Sequence, residues 1–106
     1  MKIKWSLTAE RAWYTALHHI YDEFGYRAAV KFRSETKKVI KQLQKFPQSG
    51  SPEDLLPVEA DYRSIVIEQY SKLVYKVLDE EIHIDDIWDT RREPKKQAQN
   101  TMHKNK

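Results

Sequence analysis

Apolar residues recur along the first half of the chain at three- and four-residue spacing: Ala9, Ala12, Trp13, Ala16, Leu17, Ile20 and Phe24. That period puts them on one face of a helix of about four turns. Ser6 and Thr8 offer side-chain oxygens as N-caps, and Glu10 adds negative charge where the helix dipole favours it. Gly25 then stands where a helix end takes a positive φ. The period restarts at once with Ala29, Phe32, Thr36, Val39, Leu43 and Phe46, widened by Ile40, until Pro47 ends it. Helices joined by so short a link fold back as an antiparallel hairpin.

Elsewhere the period is two. KIKW (2–5) alternates and reads as a short strand. YRSIVIE (62–68), KLVYKVLD (72–79) and IHIDDIW (82–88) are strand-like and linked by tight turns, which predicts an antiparallel meander. The acids Asp85 and Asp86 interrupt the last alternation as a β-bulge would. Between helices and meander, residues 47–61 carry three prolines and Gly50 and read as a long loop, with Leu55 and Leu56 able to pin it to the core. After Trp88 the only large apolar residue is Met102. The expected organisation is one domain over residues 1–92 and a polar, basic tail over 93–106, disordered when the protein is alone. The fold class is α/β in the α+β sense: an N-terminal strand, a helix hairpin and a three-stranded meander in two layers. The sheet face away from the helices is expected to be partly open.

Charge changes this picture modestly. Nineteen Lys and Arg against sixteen Asp and Glu give a net charge of +3, which suits nucleic acid or an acidic protein as partner. Lys31, Arg33, Lys37, Lys38, Lys41 and Lys45 cover the outer side of the second helix, as a solvated face does. With no cysteine there is no disulfide and no thiolate metal site. No apolar run approaches the roughly 18–20 residues needed to span a bilayer. The start, MKIKWSLT, lacks the apolar stretch of a signal peptide, so a cytoplasmic location is expected.

Enzyme motifs are sparse. His18 and His19 are adjacent, so one helix points them in different directions, and no second ligand pair accompanies them. Adjacent residues of a regular strand face opposite ways, so Asp85 and Asp86 are not expected to share a magnesium site. No nucleophile-elbow serine and no exposed-aromatic RNA-binding motif are present. No metal, cofactor or small-molecule ligand is expected. What stands out is DTRREPKK (89–96), which places Arg91 and Arg92 side by side where the last strand ends.

Several short patterns, in order, carry a resemblance. They are the Trp5 strand, Ala12/Trp13 to Tyr21, Ala29 with Phe32, and Leu43, Phe46, Pro47 and Gly50. Tyr62, Arg63 and Ile65 follow, then Tyr70 with Leu73 to Val77, and finally Ile82 to Pro94. Over roughly residues 3–94 the chain resembles the RelE/ParE superfamily of toxins from bacterial type II toxin–antitoxin modules. The resemblance implies the RelE/ParE fold and a working surface that unites Arg63, Arg91 and Arg92.

Two toxic mechanisms exist within that superfamily, and a non-toxic binding protein of the same fold would show the same core stripes. RelE-like toxins are ribosome-dependent mRNA endoribonucleases, and cleavage by 2′-OH attack needs proton transfer and cations on the phosphorane. Arg63 and Arg91 would be the catalytic cations, since guanidinium meets phosphate oxygens two at a time, with Lys72 and Arg92 in support. His83, in mid-strand, is the proton-transfer candidate, while Tyr70 and Tyr75 read as sheet and core aromatics. Past the last strand, where such ribonucleases commonly place a Tyr or His, there is no Tyr, and His103 lies in the tail. ParE-like toxins poison DNA gyrase by binding it, and Arg63, Lys72, Arg91 and Arg92 would then be target-binding residues. The exit Asp89-x-Arg91-Arg92 and the missing Tyr favour the ParE-like alternative. Either way the resemblance implies a cognate antitoxin that masks the basic surface with an acidic segment. Operator DNA would be contacted through the antitoxin.

Overall fold

The computed structural model describes residues 1–92 and 94–104. Strand β1 is Lys2–Trp5. Ser6 then caps helix α1, Leu7–Phe24: its Oγ accepts the Ala9 N–H at 3.0 Å. Gly25 takes φ 90° and separates α1 from α2, Tyr26–Lys45, so the hairpin turns on the one residue type that adopts this backbone without strain. Trp13 Nε1–H donates to Thr36 Oγ1 across the hairpin, and the Trp13 and Phe32 rings stack.

The long loop contributes a strand that its sequence does not announce. β2, Ser51–Pro52, pairs antiparallel with β3, Arg63–Glu68. A single turn of 3-10 helix at Val58–Ala60 lies between them. β4, Ser71–Leu78, and β5, Glu81–Asp89, complete the expected meander. The β4–β5 hairpin turns on Asp79 and Glu80, both at positive φ, the backbone a two-residue hairpin loop requires. The sheet order is β1-β5-β4-β3-β2, with β1 parallel to β5. The bulge expected at the paired acids is present: Val74 faces Asp86 and Tyr75 faces Ile84, which leaves Asp85 as the extra residue.

The principal core lies between the hairpin and one sheet face. Ala9, Phe32, Val39 and Leu43 pack on Ile67, Leu73, Tyr75, Ile82, Ile84 and Ile87. The apolar stripes overreach at their ends, however: Phe24 is 58% exposed and Phe46 61%. Both sit at helix C-termini.

The second sheet face is not open in the way the composition suggests. In place of a disordered tail, residues Pro94–Lys104 form helix α3. Together with Leu56 and Tyr62 it closes a smaller core over Val74 and Trp88, with Ala98 and the fully buried Thr101 facing inward. Trp88 explains the cover. Strand alternation sends its ring away from the hairpin, and its indole N–H needs the partners that Thr101 Oγ1, at 2.9 Å, and Asp86 Oδ2, at 3.2 Å, supply. One tryptophan thus outweighs a polar segment. Glu93 lies outside the described residues, as do the side chain of His103 and the chain end at 105–106.

Leu56 pins the 47–61 loop as expected, whereas Leu55 is 43% exposed. The stronger anchor is polar. Buried Glu53 accepts from Lys72 Nζ and from Ser64 Oγ at 3.0 Å, and its other oxygen accepts the Leu55 N–H at 3.1 Å. Burial alone would raise the Glu53 pKa, but these partners, Lys72 foremost, hold it below the ordinary value of 4.5. A depressed folded-state pKa gives stability that is present above pH 4.5 and lost as pH falls through the lower folded value. In thermal melts across that acid range, Glu53→Gln is expected to flatten part of the decline seen for the wild-type chain. A parallel decline in both proteins would show that the pair contributes nothing pH-dependent.

Candidate functional site

β1 ends at Trp5 while β5 continues to Asp89, so the last part of β5 has no strand on its outer side. α1 crosses above this stretch and α3 lies below it. The result is a groove of about 1100 Å³ walled by α1, the turn at Glu68–Ser71, the end of β5 and α3. Arg11, His19, Lys31, Arg91, Arg92 and Lys96 line it, opposed by Glu68, Asp86 and Asp89. Its cationic balance is far more concentrated than the net charge of +3 implies.

The opening of the groove is built around Arg91. Asp89 Oδ1 accepts both the Arg91 backbone N–H, at 2.9 Å, and its Nε–H, at 3.3 Å. Glu23 at the end of α1 lies 3.5 Å from Arg91 Nη1, and the guanidinium stacks 4.5 Å from the Tyr70 ring centroid. Burial pushes the Asp89 carboxyl up, but the Arg91 N–H and guanidinium, with the charge of Arg92, hold it below its usual range. Asp89 is therefore ionised at neutral pH and orients Arg91. Arg92 stands exposed on the rim and forms no ion pair with any described residue.

The expected union of three arginines does not occur. Arg63 faces Tyr75 on β4 and Asp89 faces Ser71, so they are separated by roughly 13 Å along the strand direction. Arg63 Nη1 instead donates to Gly50 O at 2.8 Å and Gln48 O at 3.4 Å, tying down the loop after α2. Lys72 is also taken: it pairs with Glu53 and covers the Trp88 ring at 5.1 Å. His83 sits mid-strand on the face away from the hairpin, in register with Lys4 and Lys76. Its Nε2 is buried without a hydrogen-bond partner and lies 3.9 Å from Glu81. Of the candidates read from the sequence, only Arg91 and Arg92 line the groove.

Two tyrosines near the sheet centre are structural. Tyr75 Oη accepts the Gly50 N–H at 2.9 Å and donates to Pro47 O at 2.8 Å. Tyr62 donates to Asp85 Oδ2 at 2.6 Å, and burial together with that carboxylate pushes its phenol far above the ordinary range. Arg11, His19, Tyr70 and Lys96 were passed over as groove residues. Arg11, Thr15 and His19 follow at four-residue spacing beside the apolar stripe of α1, a pattern that was legible once a groove was known to lie there.

The family model described as the ParE toxin of type II toxin–antitoxin systems, parDE, matches residues 3–94. No curated protein sequence matches the chain. Among solved structures it is similar to the chromosomal ParDE toxin–antitoxin system from P. aeruginosa. The TM-score is 0.67 at 21% identity, covering 84% of this chain and 95% of that one. It is also similar to a YoeB/ParE toxin from Agrobacterium tumefaciens, with TM-score 0.61, 16% identity and coverage of 84% and 98%. At such identities the structural likeness speaks for the fold. Among the described residues, no helix is long and apolar enough to cross a membrane.

Proposed function

Because this chain belongs to the ParE toxin family of type II toxin–antitoxin systems, we propose that it arrests growth by binding DNA gyrase through the groove that holds Arg91 and Arg92. The observation that carries this reading is the dispersal of the ribonuclease candidates. Arg63 is tied to the loop carbonyls, His83 stands in mid-sheet, and Arg91 alone of the three faces the groove. Phosphorane stabilisation needs its cations and proton donors within a few ångströms of one phosphate. Recognition needs only an exposed, oriented charge, and Asp89 orients Arg91 for that role. In the resting module the cognate antitoxin covers this groove, and operator DNA is held by the antitoxin.

Arg91→Ala combined with Arg92→Ala is expected to raise the concentration needed for half-inhibition of gyrase supercoiling by about a hundredfold, the scale of two lost charge-assisted contacts. The fold should survive, since exposed ion pairs contribute at most about 1 kcal/mol. Supercoiling assays with the purified chain test this beside an assay for mRNA cutting on ribosomes. Cut mRNA with gyrase unaffected would assign the chain to the ribonuclease branch instead.

A further inference from the structure

Helix α2 carries seven Lys or Arg side chains and a single acid, Glu35, which gives this one helix a charge of +6. The whole chain has +3, so everything outside α2 sums to −3. Five of the cations stand in one row. Arg27, Lys31, Lys38, Lys41 and Lys45, with Ser34 among them, recur at four- and three-residue spacing, and all six positions are exposed. Helical periodicity puts them on one line, opposite the buried Ala29, Phe32, Thr36, Val39 and Leu43. At a rise of about 1.5 Å per residue the row is roughly 27 Å long.

The fold does not need this row. Like charges three and four residues apart repel along a helix. A cation in the first turn also opposes the helix dipole, yet that turn holds Arg27 and no acid. Among the described residues, two of the five cations are in ion pairs: Lys31 lies 3.9 Å from Glu68 and Lys38 3.3 Å from Glu35. Both lysine side chains are mainly exposed, and such pairs are weak.

We infer that the outer face of α2 is a binding surface for the phosphate backbone of duplex DNA, engaged by this chain itself without the antitoxin. The inference goes beyond the gyrase reading and does not depend on it. Of the row, only Lys31 also lines the groove that holds Arg91 and Arg92. Chemistry selects the partner. Lysine is depleted at protein–protein interfaces, whose centres are apolar, and no position of the row is apolar. A membrane surface is entered by an apolar helix face, and α2 buries its own in the core. Single-stranded nucleic acid is held by stacking on aromatic rings, which the row lacks. Duplex DNA presents about one negative charge per 1.7 Å of its axis. A straight row of fixed cations follows that stiff charge line over about eight base pairs. Phosphate contacts carry no sequence information, so the binding is independent of sequence.

The test uses the full chain alone, with neither gyrase nor antitoxin present, and fluorescence anisotropy on a labelled DNA duplex of about 20 base pairs. Micromolar binding is expected at low salt, changing less than about twofold between sequences. Plotted logarithmically against salt concentration, the association constant should fall with a slope between about −4 and −5, as five neutralised phosphates require. Lys38→Gln with Lys41→Gln and Lys45→Gln keeps helix propensity; it should weaken binding about a hundredfold and cut the slope to about −2. Lys2→Gln with Lys4→Gln and Lys95→Gln removes the same charge elsewhere and should weaken binding less than about fivefold, with the slope kept. Should the first triple variant lose helix by circular dichroism, Lys38→Gln and Lys45→Gln singly should each reduce the slope by about 1. Equal losses in the two triple variants would assign the binding to net charge and overturn the inference, as would a wild-type chain that ignores DNA at low salt. Binding about tenfold tighter to an RNA duplex or to a single strand would overturn it in favour of those ligands. Co-sedimentation with phosphatidylserine vesicles, without DNA binding, would overturn it in favour of a membrane surface. Each outcome leaves the gyrase reading to its own assay.

Discussion

Trp88→Ala is expected to lower the unfolding free energy by about 3–5 kcal/mol, the range for removing a large aromatic from a packed site. Trp88 is 2% exposed and touches a core that also holds Leu56, Tyr62, Val74 and Ala98. Its indole N–H is shared between Asp86 and Thr101, so the truncation also takes a donor from a buried carboxylate. The second core is small, and Trp88 is the largest side chain in it. The variant should therefore release α3 before the main core melts. Circular dichroism would show a loss of helix in the folded baseline, and urea titration would give the energy. Trp88→Phe separates the two causes: it keeps most of the ring volume and should cost only about 1–3 kcal/mol for the lost donor. A folded Trp88→Ala with wild-type helicity and stability would mean that α3 is held by something other than this contact.

Gly50→Ala is the next largest expected loss, about 2–3 kcal/mol from overpacking. An added Cβ would lie 2.7 Å from Tyr75 Oη, 2.8 Å from Tyr75 Cε1 and 2.9 Å from Ser64 O. None of these can retreat easily. Tyr75 is fully buried, its hydroxyl is fixed by Gly50 N–H and Pro47 O, and Ser64 O belongs to a paired strand. The strain would spread to Arg63, which grips Gly50 O. Chemical denaturation should therefore show a lower midpoint with an unchanged slope. Adding Tyr75→Phe should recover little, because the ring carbon still stands in the way. Wild-type stability for Gly50→Ala would show that the loop yields freely, contrary to its three anchors on Tyr75, Arg63 and Glu53.

The groove illustrates how far a chain can be read without its fold. Arg91 and Arg92 were visible because two adjacent arginines directly after a strand have no packing role to explain them. Lys72 was misjudged because nothing local reveals that Glu53, nineteen residues earlier, folds back onto it. Gln97 was invisible for a related reason. A glutamine in a polar segment is ordinary until its amide is found paired with the backbone N–H and C=O of Asp89 at the edge of β5. The resemblance to relatives supplied the fold correctly but suggested that Arg63 and Arg91 act together, and in this chain the register of β3 on β4 keeps them apart.

By itself, the sequence determined β1, the helix hairpin and the three-stranded meander, their order and the faces they bury. Those follow from short-range regularities: a period near 3.6 or of 2, a capping Ser6, a Gly25 that tolerates positive φ, and paired acids at a bulge. Each works within a few residues and leaves a local trace. Only the tertiary structure decided that β1 pairs beside β5 and stops short of its end, that Trp88 draws α3 over the second face, and that Arg63 serves a loop. These outcomes depend on which distant segments compete for the same buried surface and the same unpaired backbone groups. That competition takes place in space, and spacing along the chain carries no record of it.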